Sequence, residues 1–111
     1  MIWEELQEFI KGKHLLIGLT FIGENGKVVE QYQTNGTVEE LTDDRLFKIL
    51  RNDGSVFQLP YDRETIRKAE KGEYRERTTG QIVTDPDFIV TWEIIIKKND
   101  NLEEVKKYGY R

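Results

Sequence analysis

The segment Leu46–Leu59 reads LFKILRNDGSVFQL and carries the clearest hairpin pattern in the chain. Two short apolar stretches flank Asn52-Asp53-Gly54, and an Asp-Gly pair favours the tight turn of a β-hairpin. In such a hairpin, large apolar side chains of one arm lie opposite those of the other, which stabilises a sheet. These side chains are Phe47, Ile49, Phe57 and Leu59. The segment therefore predicts an antiparallel strand pair and a β-rich fold.

Upstream of this hairpin, the sequence predicts further strands. From Leu15 to Phe21 apolar residues recur at every second position, which is the period of a strand. Asn25-Gly26 then predicts a tight turn into a strand at 27–34. A second pair, Asn35-Gly36, predicts another turn before a strand at 37–41.

Three segments are expected to be helical. Residues 2–11 place apolar side chains at helical spacing, and a second helix is predicted to begin at Asp100 and to end at Gly109. A third, short helix is predicted near 62–71, because Asp62 is a suitable N-cap and the basic residues gather in its last turn.

The segment Phe88–Ile96 predicts the central strand. Its apolar residues occupy both faces and are interrupted by Thr91 and Glu93, so we expect burial on both sides, with Trp92 in the core. Six short strands with helices at both ends predict an α+β fold, mostly β: a small bent antiparallel sheet or barrel. The 111 residues are expected to form a single domain, 1–111.

Composition narrows the possible functions. The net charge is −4, whereas non-specific nucleic-acid binding requires clustered Lys and Arg, so nucleic acid is an unfavoured partner. The absence of cysteine excludes disulfides and thiolate metal sites. The apolar stretches are too short for a membrane span and the N-terminal residues lack the basic region of a signal peptide, so a cytoplasmic, bacterial protein with no membrane partner is expected.

The sequence contains no motif that specifies a reaction. His14 is the only histidine, and Asp85-Pro86-Asp87 is more typical of a rigid turn than of a pair of metal ligands. Neither a phosphate-binding glycine loop nor a nucleophile elbow is present. We therefore expect no catalytic residues, no metal and no cofactor, and a protein that is not an enzyme.

The most unusual stretch is Leu59–Arg75, in which nine of seventeen residues are charged. The predicted helix accounts for the charges before Gly72 but not for the Tyr-Arg-x-Arg sequence that follows, which alternates like a charged edge strand. Tyr74, Arg75 and Arg77 are therefore the candidate partner-binding residues. The alternative is that both arginines pair with acidic residues of the protein itself, such as Glu73, Asp85 or Asp87.

The hairpin and the residues before it resemble a known architecture. Gly36-Thr37-Val38, then Leu46–Leu50, then Asp53–Pro60 are similar to the bent meander of Sm-like and Src-homology-type small barrels, over residues 13–60. The resemblance implies a five-stranded barrel that binds peptides or RNA. The Sm-like RNA loop ends in Arg-Gly, whereas Asn52-Asp53-Gly54 stands at the corresponding turn here, which disfavours RNA.

These observations favour a non-catalytic binding protein whose partner is another protein. Its acidity fits a partner-neutralising protein of the immunity type, directed at a basic protein. The alternatives are an Sm-like RNA- or peptide-binding module and a small enzyme. The sequence does not indicate an oligomeric state.

Overall fold

A computed structural model describes residues 1–97 and 101–109. The protein is α+β, mostly β, as predicted. The helices are α1 (Trp3–Ile10) and α2 (Leu102–Tyr108). The strands are β1 (His14–Ile22), β2 (Val28–Leu41), β3 (Leu46–Leu50), β4 (Val56–Pro60), β5 (Ile66–Lys68), β6 (Glu73–Arg75), β7 (Ile82–Thr84) and β8 (Phe88–Ile95).

Six strands form one mixed sheet in the order β4-β3-β2-β1-β8-β5, and β6 and β7 form a separate two-stranded sheet. The large sheet is not closed, so of the two predicted alternatives the bent sheet is right and the barrel is wrong. The expectation of a purely antiparallel sheet is also wrong at one place, because β1 and β8 are parallel. The 23–87 segment carries the chain back to the end of the sheet at which β1 begins, so β8 enters in the direction of β1.

The core lies on one face of this sheet. Strand β1 alternates strictly, and its residues Leu15, Ile17, Leu19 and Phe21 are at most 1% exposed. The predicted hairpin is confirmed, with Phe47 opposite Leu59 and Ile49 opposite Phe57, and all four side chains are buried in the core.

Strand β8 is less buried than predicted. Thr91, Glu93 and Ile95 are exposed, so the expectation of burial on both faces is wrong. Trp92 is only partly buried and packs against the margin of the core, where its indole N–H has no hydrogen-bond partner among the described residues. The inward residues of β8 that are buried in the core are Val90 and Ile94.

The predicted turn at Asn35-Gly36 is wrong, because β2 runs through it as one strand of 14 residues. Up to Thr37 this strand pairs with β1, and from Thr37 onward it pairs with β3. A Cβ atom on Gly36 would lie 2.6 Å from the carbonyl oxygen of Leu50 and 2.6 Å from Ile49 Cγ2. The glycine is therefore needed for the close approach of two strands rather than for a turn.

The predicted helix near 62–71 is also wrong. Asp62 caps a helical turn as expected, since its carboxylate accepts a hydrogen bond from the Glu64 N–H at 2.9 Å, but the turn is a 3₁₀ helix of three residues, Arg63–Thr65. The chain then becomes strand β5, in which Ile66 pairs with Val90 of β8 and packs against the core. A helix here would have buried little, whereas the strand satisfies the edge of β8.

The two terminal helices agree with prediction. Helix α1 packs its apolar side against the core, and α2 ends at Gly109, which has a φ of +95°. The predicted cap Asp100 lies outside the described residues. Asn101 caps α2 instead, because its side chain accepts a hydrogen bond from the Glu104 N–H at 3.2 Å.

Candidate functional site

The first half of β2 borders a polar cleft of about 550 Å³. Because β3 pairs only with the second half of β2, the earlier residues leave one edge of β2 open. Four elements surround this opening: β2, the turn between β3 and β4, the turn between β6 and β7, and α2. The cleft therefore lies where β2 has not yet begun to pair with β3.

A buried carboxylate lies in the wall of the cleft. Glu76 is 3% exposed, and it follows directly after β6. Its Oε2 accepts a hydrogen bond from Asn35 Nδ2 at 2.6 Å, and its Oε1 accepts one from the Thr79 hydroxyl at 3.0 Å. Among the described residues Glu76 forms no ion pair. Burying an ionised carboxylate without a cation is unfavourable, which distinguishes Glu76 from the surface acids.

Asn35 connects this carboxylate to the single histidine. The amide of Asn35 is 5% exposed, and its nitrogen donates to Glu76 and, at 3.3 Å, to Gln81 Oε1. Its oxygen is therefore the acceptor towards His14 Nε2, 3.0 Å away, so the hydrogen-bond network assigns the proton to that nitrogen. His14, Asn35 and Glu76 thus form one hydrogen-bonded series.

On the opposite wall, Arg51 attaches α2 to the sheet. Its Nη1 donates to the Tyr32 hydroxyl at 3.1 Å and to the carbonyl of Lys106 at 3.0 Å. Its Nη2 donates to the carbonyl of Lys107 at 2.5 Å, and its Nε donates to the Ser55 hydroxyl at 2.9 Å. Carbonyls at the end of a helix are the groups that a cation satisfies best, so the guanidinium is already engaged.

Two further charged side chains of the cleft, Lys106 and Asp53, also have partners within the protein. Lys106 lies 2.5 Å from Glu30 and 3.1 Å from Glu103, and the hydrogen bond to Glu30 raises the pKa of Lys106. Hydrogen bonds from the hydroxyl and the N–H of Ser55 keep the pKa of Asp53 below its usual value, so this carboxylate is ionised at neutral pH. Of the three basic side chains that line the cleft, Arg51 and Lys106 are already engaged, whereas Lys107 is exposed and lies over the Tyr108 ring.

The structure places the predicted site residues Tyr74 and Arg75 on β6 and Arg77 in the turn that follows it. Tyr74 is half-buried, and its hydroxyl donates to the carbonyl of Glu70 at 2.7 Å. Arg75 is exposed on the opposite side of β6. Arg77 is also exposed; its N–H donates to Gln33 Oε1 and its Nη1 to Gln31 Oε1, the latter at 3.3 Å.

Neither arginine forms an ion pair within residues 1–97 and 101–109. Asp85 and Asp87, two of the acidic residues named above as alternative partners of the arginines, bind backbone N–H groups instead. Asp85 accepts a hydrogen bond from the Gly72 N–H at 2.8 Å, and Asp87 accepts one from the His14 N–H at 2.8 Å. Neither arginine belongs to the hydrogen-bonded series around Glu76, because Arg75 is exposed on β6 and Arg77 bonds to Gln31 and Gln33 of β2.

Sequence reasoning did not identify Glu76 or Asn35 as site residues. A signal for Glu76 existed, because strand alternation places it on the face opposite the two arginines, which is the face towards the sheet. No such signal existed for Asn35, which lies in a dipeptide typical of turns. In the part of the chain that the structure describes, no group of three or more His, Asp or Glu side chains could hold a metal ion.

Comparison of the chain with protein-family models, with curated proteins and with solved structures found no match. Of the helices described, neither is long and apolar enough to cross a membrane. The case for a function therefore rests on the geometry of the cleft and on the charges around it.

Proposed function

We propose that the protein is a non-catalytic binding protein that neutralises a basic protein partner, and that a Lys or Arg side chain of this partner enters the cleft and pairs with Glu76. The observation that carries the proposal is a carboxylate that is 3% exposed, hydrogen-bonded by Asn35 and Thr79, and without a cation among the described residues. A partner's guanidinium or ammonium group supplies the missing charge.

The geometry of the carboxylate supports this pairing. Each oxygen of Glu76 accepts one hydrogen bond from the protein and keeps a further lone pair, and a planar guanidinium binds both oxygens of a carboxylate at once. Asn35 and Thr79 hold the carboxylate in place, so little freedom is lost on binding.

The charge of the whole protein supports the same partner class. A net charge of −4 attracts a basic protein over a distance and raises the rate of encounter. Two of the three basic side chains that line the cleft, Arg51 and Lys106, are already engaged, which leaves only the exposed Lys107 for a phosphate-bearing ligand there. His14 Nε2 donates to Asn35, so this nitrogen does not serve as an accepting base, which favours binding over catalysis.

Arg75 and Arg77 extend the proposed interface. Both are exposed, Arg75 on β6 and Arg77 in the turn that follows it, and neither forms an ion pair among the described residues. Planar guanidinium groups of this kind bind carboxylates of a partner, and arginine is enriched at interface hot spots. Basic proteins carry acidic residues as well, so Arg75 and Arg77 would bind carboxylates of the same partner whose cation pairs with Glu76.

A purely structural role for Glu76 is the competing explanation, because its side chain also fixes the 76–81 turn on β2. The substitution Glu76→Gln separates the two roles. A glutamine at this position accepts from Asn35 through its oxygen and donates to the Thr79 hydroxyl, which rotates to accept, so both hydrogen bonds persist while the charge is lost.

The test is a titration of the ¹⁵N-labelled protein with N-acetylarginine amide, followed by NMR. We expect the side-chain amide of Asn35 and the backbone amide of Thr79 to shift in the wild type and in Glu24→Gln, which removes an exposed acid from the turn after β1. We expect no such shift in Glu76→Gln. Equal shifts in Glu76→Gln and in the wild type, or none in either, would refute the proposal.

The same variant makes a prediction about stability. If the carboxylate is retained for binding rather than for folding, Glu76→Gln should raise the free energy of unfolding by about 0.5–2 kcal/mol, as substitutions at destabilised functional sites often do. Urea denaturation at neutral pH measures this change. A loss of stability would show that the charge itself supports the fold.

A further inference from the structure

The dipeptide Asn-Gly occurs at 25–26 and again at 35–36, in two opposite environments. Asparagine loses its amide readily in this dipeptide, because glycine has no side chain to hinder attack by its backbone nitrogen. Asn25 is exposed in the turn between β1 and β2, whereas Asn35 is 5% exposed inside β2. The two dipeptides should therefore differ in chemical stability.

The reaction requires only the chain and water. The backbone nitrogen of the glycine loses its proton and attacks the side-chain carbon Cγ of the asparagine. A new C–N bond forms, the bond between Cγ and Nδ2 breaks, and ammonia leaves with the proton, so that a five-membered succinimide ring remains. Water then opens the ring at either carbonyl group, which gives aspartate or isoaspartate, and nothing is oxidised or reduced.

The turn at Asn25 favours this attack. Asn25 Oδ1 accepts a hydrogen bond from the Lys27 N–H at 3.1 Å, so the side chain is folded forward over Gly26, whose nitrogen is the nucleophile. The same N–H stabilises the negative charge that develops on Oδ1 as the ring closes. One bond opposes the reaction, because the Gly26 N–H donates to the carbonyl of Gly23 at 2.9 Å. This bond lies in an exposed turn, where local opening costs little free energy.

Asn35 is protected by its surroundings. Its Nδ2, the group that must leave, donates to Glu76 at 2.6 Å and to Gln81 at 3.3 Å. Its Oδ1 faces His14 Nε2 at 3.0 Å, and Gly36 lies inside the ladder between β1 and β2. Attack by the Gly36 nitrogen would require a large part of the sheet to open, which costs far more than the opening of a turn.

The turn between β3 and β4 repeats the hydrogen bonds of the turn between β1 and β2. Its Gly54 N–H donates to the carbonyl of Arg51 at 3.0 Å, and its Ser55 N–H donates to Asp53 Oδ1 at 2.9 Å. Each of these bonds has a counterpart at the same position of the first turn. The side chain is different, because hydrogen bonds from Ser55 lower the pKa of Asp53 and keep it an ionised carboxylate, which is a poor electrophile. The second turn is thus a natural control for the first.

We propose that Asn25 is a site of spontaneous deamidation in the folded protein, because its turn presents Cγ to the Gly26 nitrogen, and that Asn35 keeps its amide through its bonds to His14 and Glu76. Deamidation adds a negative charge to the turn between β1 and β2, and isoaspartate also lengthens the backbone there by one carbon. The inference does not depend on what binds in the cleft.

The test is incubation of the protein at pH 8 and 37 °C for several weeks, with peptide mapping by mass spectrometry at intervals. Fragmentation by electron transfer distinguishes isoaspartate from aspartate. In the folded protein Asn25 should deamidate at least about tenfold faster than Asn35, since only the turn opens locally. In guanidinium chloride the two rates should become similar, because both dipeptides are then unstructured.

Two variants test the chemistry, with circular dichroism as the control for folding. Asn25→Gln should abolish modification of the turn, because a glutamine side chain would have to close a less favourable six-membered ring. Asp53→Asn should create a second reactive site, with a rate close to that of Asn25, because the two turns share their hydrogen bonds.

Two results on the wild type would overturn the proposal: an Asn25 that stays unmodified in the folded protein, or an Asn35 that deamidates as fast as Asn25. An Asp53→Asn variant that folds but stays unmodified at position 53 would also overturn it, because the arrangement of the turn would then not promote the reaction. None of these measurements involves a partner, so their outcome is separate from that of the arginine titration.

Discussion

Among the glycines inside the described strands, Gly36 should be the one at which an added methyl group destabilises the protein most. A Cβ atom there would lie 2.6 Å from the carbonyl oxygen of Leu50 and from Ile49 Cγ2, which is 0.8 Å closer than the 3.4 Å at which ordinary contact begins. The Ile49 methyl belongs to a fully buried, β-branched side chain, and the Leu50 carbonyl belongs to the backbone of β3. Gly36→Ala must therefore push β2 and β3 apart, next to the point where β2 begins to pair with β3.

The expected cost is that of an overpacked core, about 1–3 kcal/mol. With an unfolding entropy of about 2.1 cal/mol/K per residue, this cost corresponds to a fall in Tm of about 4–13 °C for a chain of this length. The matched control is Gly18→Ala in β1, where the nearest atom to a new Cβ is Thr91 Cγ2 at 3.8 Å. There the methyl group should be tolerated, and the reduced freedom of the unfolded chain should raise stability by about 0.5 kcal/mol.

Differential scanning calorimetry of the two variants measures this difference in Tm. If Gly36→Ala melts within a degree or two of Gly18→Ala, the close approach of β2 to Leu50 does not exist in solution. The pairing of β2 with β3 from Thr37 onward, and with it the position of the cleft, would then need a different explanation.

Two further predictions concern charged groups at the surface. Arg75→Ala combined with Arg77→Ala should change the free energy of unfolding by less than about 0.5 kcal/mol, because neither side chain is buried or ion-paired among the described residues. The double variant should nevertheless retain less of a protein partner from cell extract. Undiminished retention would count against a role of these two arginines in binding. Glu30→Gln should cost about 0.5–1 kcal/mol at pH 8, where Lys106 is charged in both the folded and the unfolded chain. Because the pKa of Lys106 is raised in the folded protein, this cost should be constant below the ordinary lysine pKa of 10.5 and should disappear as the pH rises through the higher folded pKa. Urea titrations at several pH values measure the cost. If it persists above the folded pKa, the ion pair is not its origin.

The parts of the fold that were predictable are those set by neighbouring residues. The hairpin at 46–59 combines an Asp-Gly turn with alternating apolar residues, and both signals act within a few positions of each other. The structure confirms it, with Gly54 at a φ of +85°. Helix α1 was predictable for the same reason, since its apolar spacing and its stop at Gly12 are local.

The wrong predictions arose where distant contacts decide between two local possibilities. Asn35-Gly36 has the composition of a turn, but the small size of Gly36 serves the approach of β3, which no local pattern reveals. The charges of 62–71 suit a short helix, but Ile66 gains a strand partner in β8, more than twenty residues later. Propensity is a weak signal in such cases because tertiary pairing outweighs it.

The candidate site shows the same limit. The alternation of Tyr74, Arg75, Glu76 and Arg77 was sufficient to place the arginines outward and Glu76 inward, and the observed exposures agree. What Glu76 meets on the inner side is Asn35, which is 41 residues away in the chain. Contacts at such a separation follow from topology, and the topology depends on the parallel pairing of β1 with β8, which no hairpin signal indicates.

That parallel pairing also has a consequence for how the protein is made. The register joins Leu15 to Phe88 and Ile22 to Ile95, so one edge of β1 stays without its strand partner until β8 is translated, 73 residues later. At about 5–20 residues per second, a ribosome needs roughly 4–15 seconds for these 73 residues, and during that time β1 is a nascent apolar segment paired on one side only. The interval is long compared with the microseconds in which a hairpin forms, so β1 and β2 can pair first while the other edge of β1 is accessible to chaperones. A stalled or truncated chain that ends before residue 88 would lack this strand altogether, and it is such a chain, rather than the complete one, that we expect the cell to degrade.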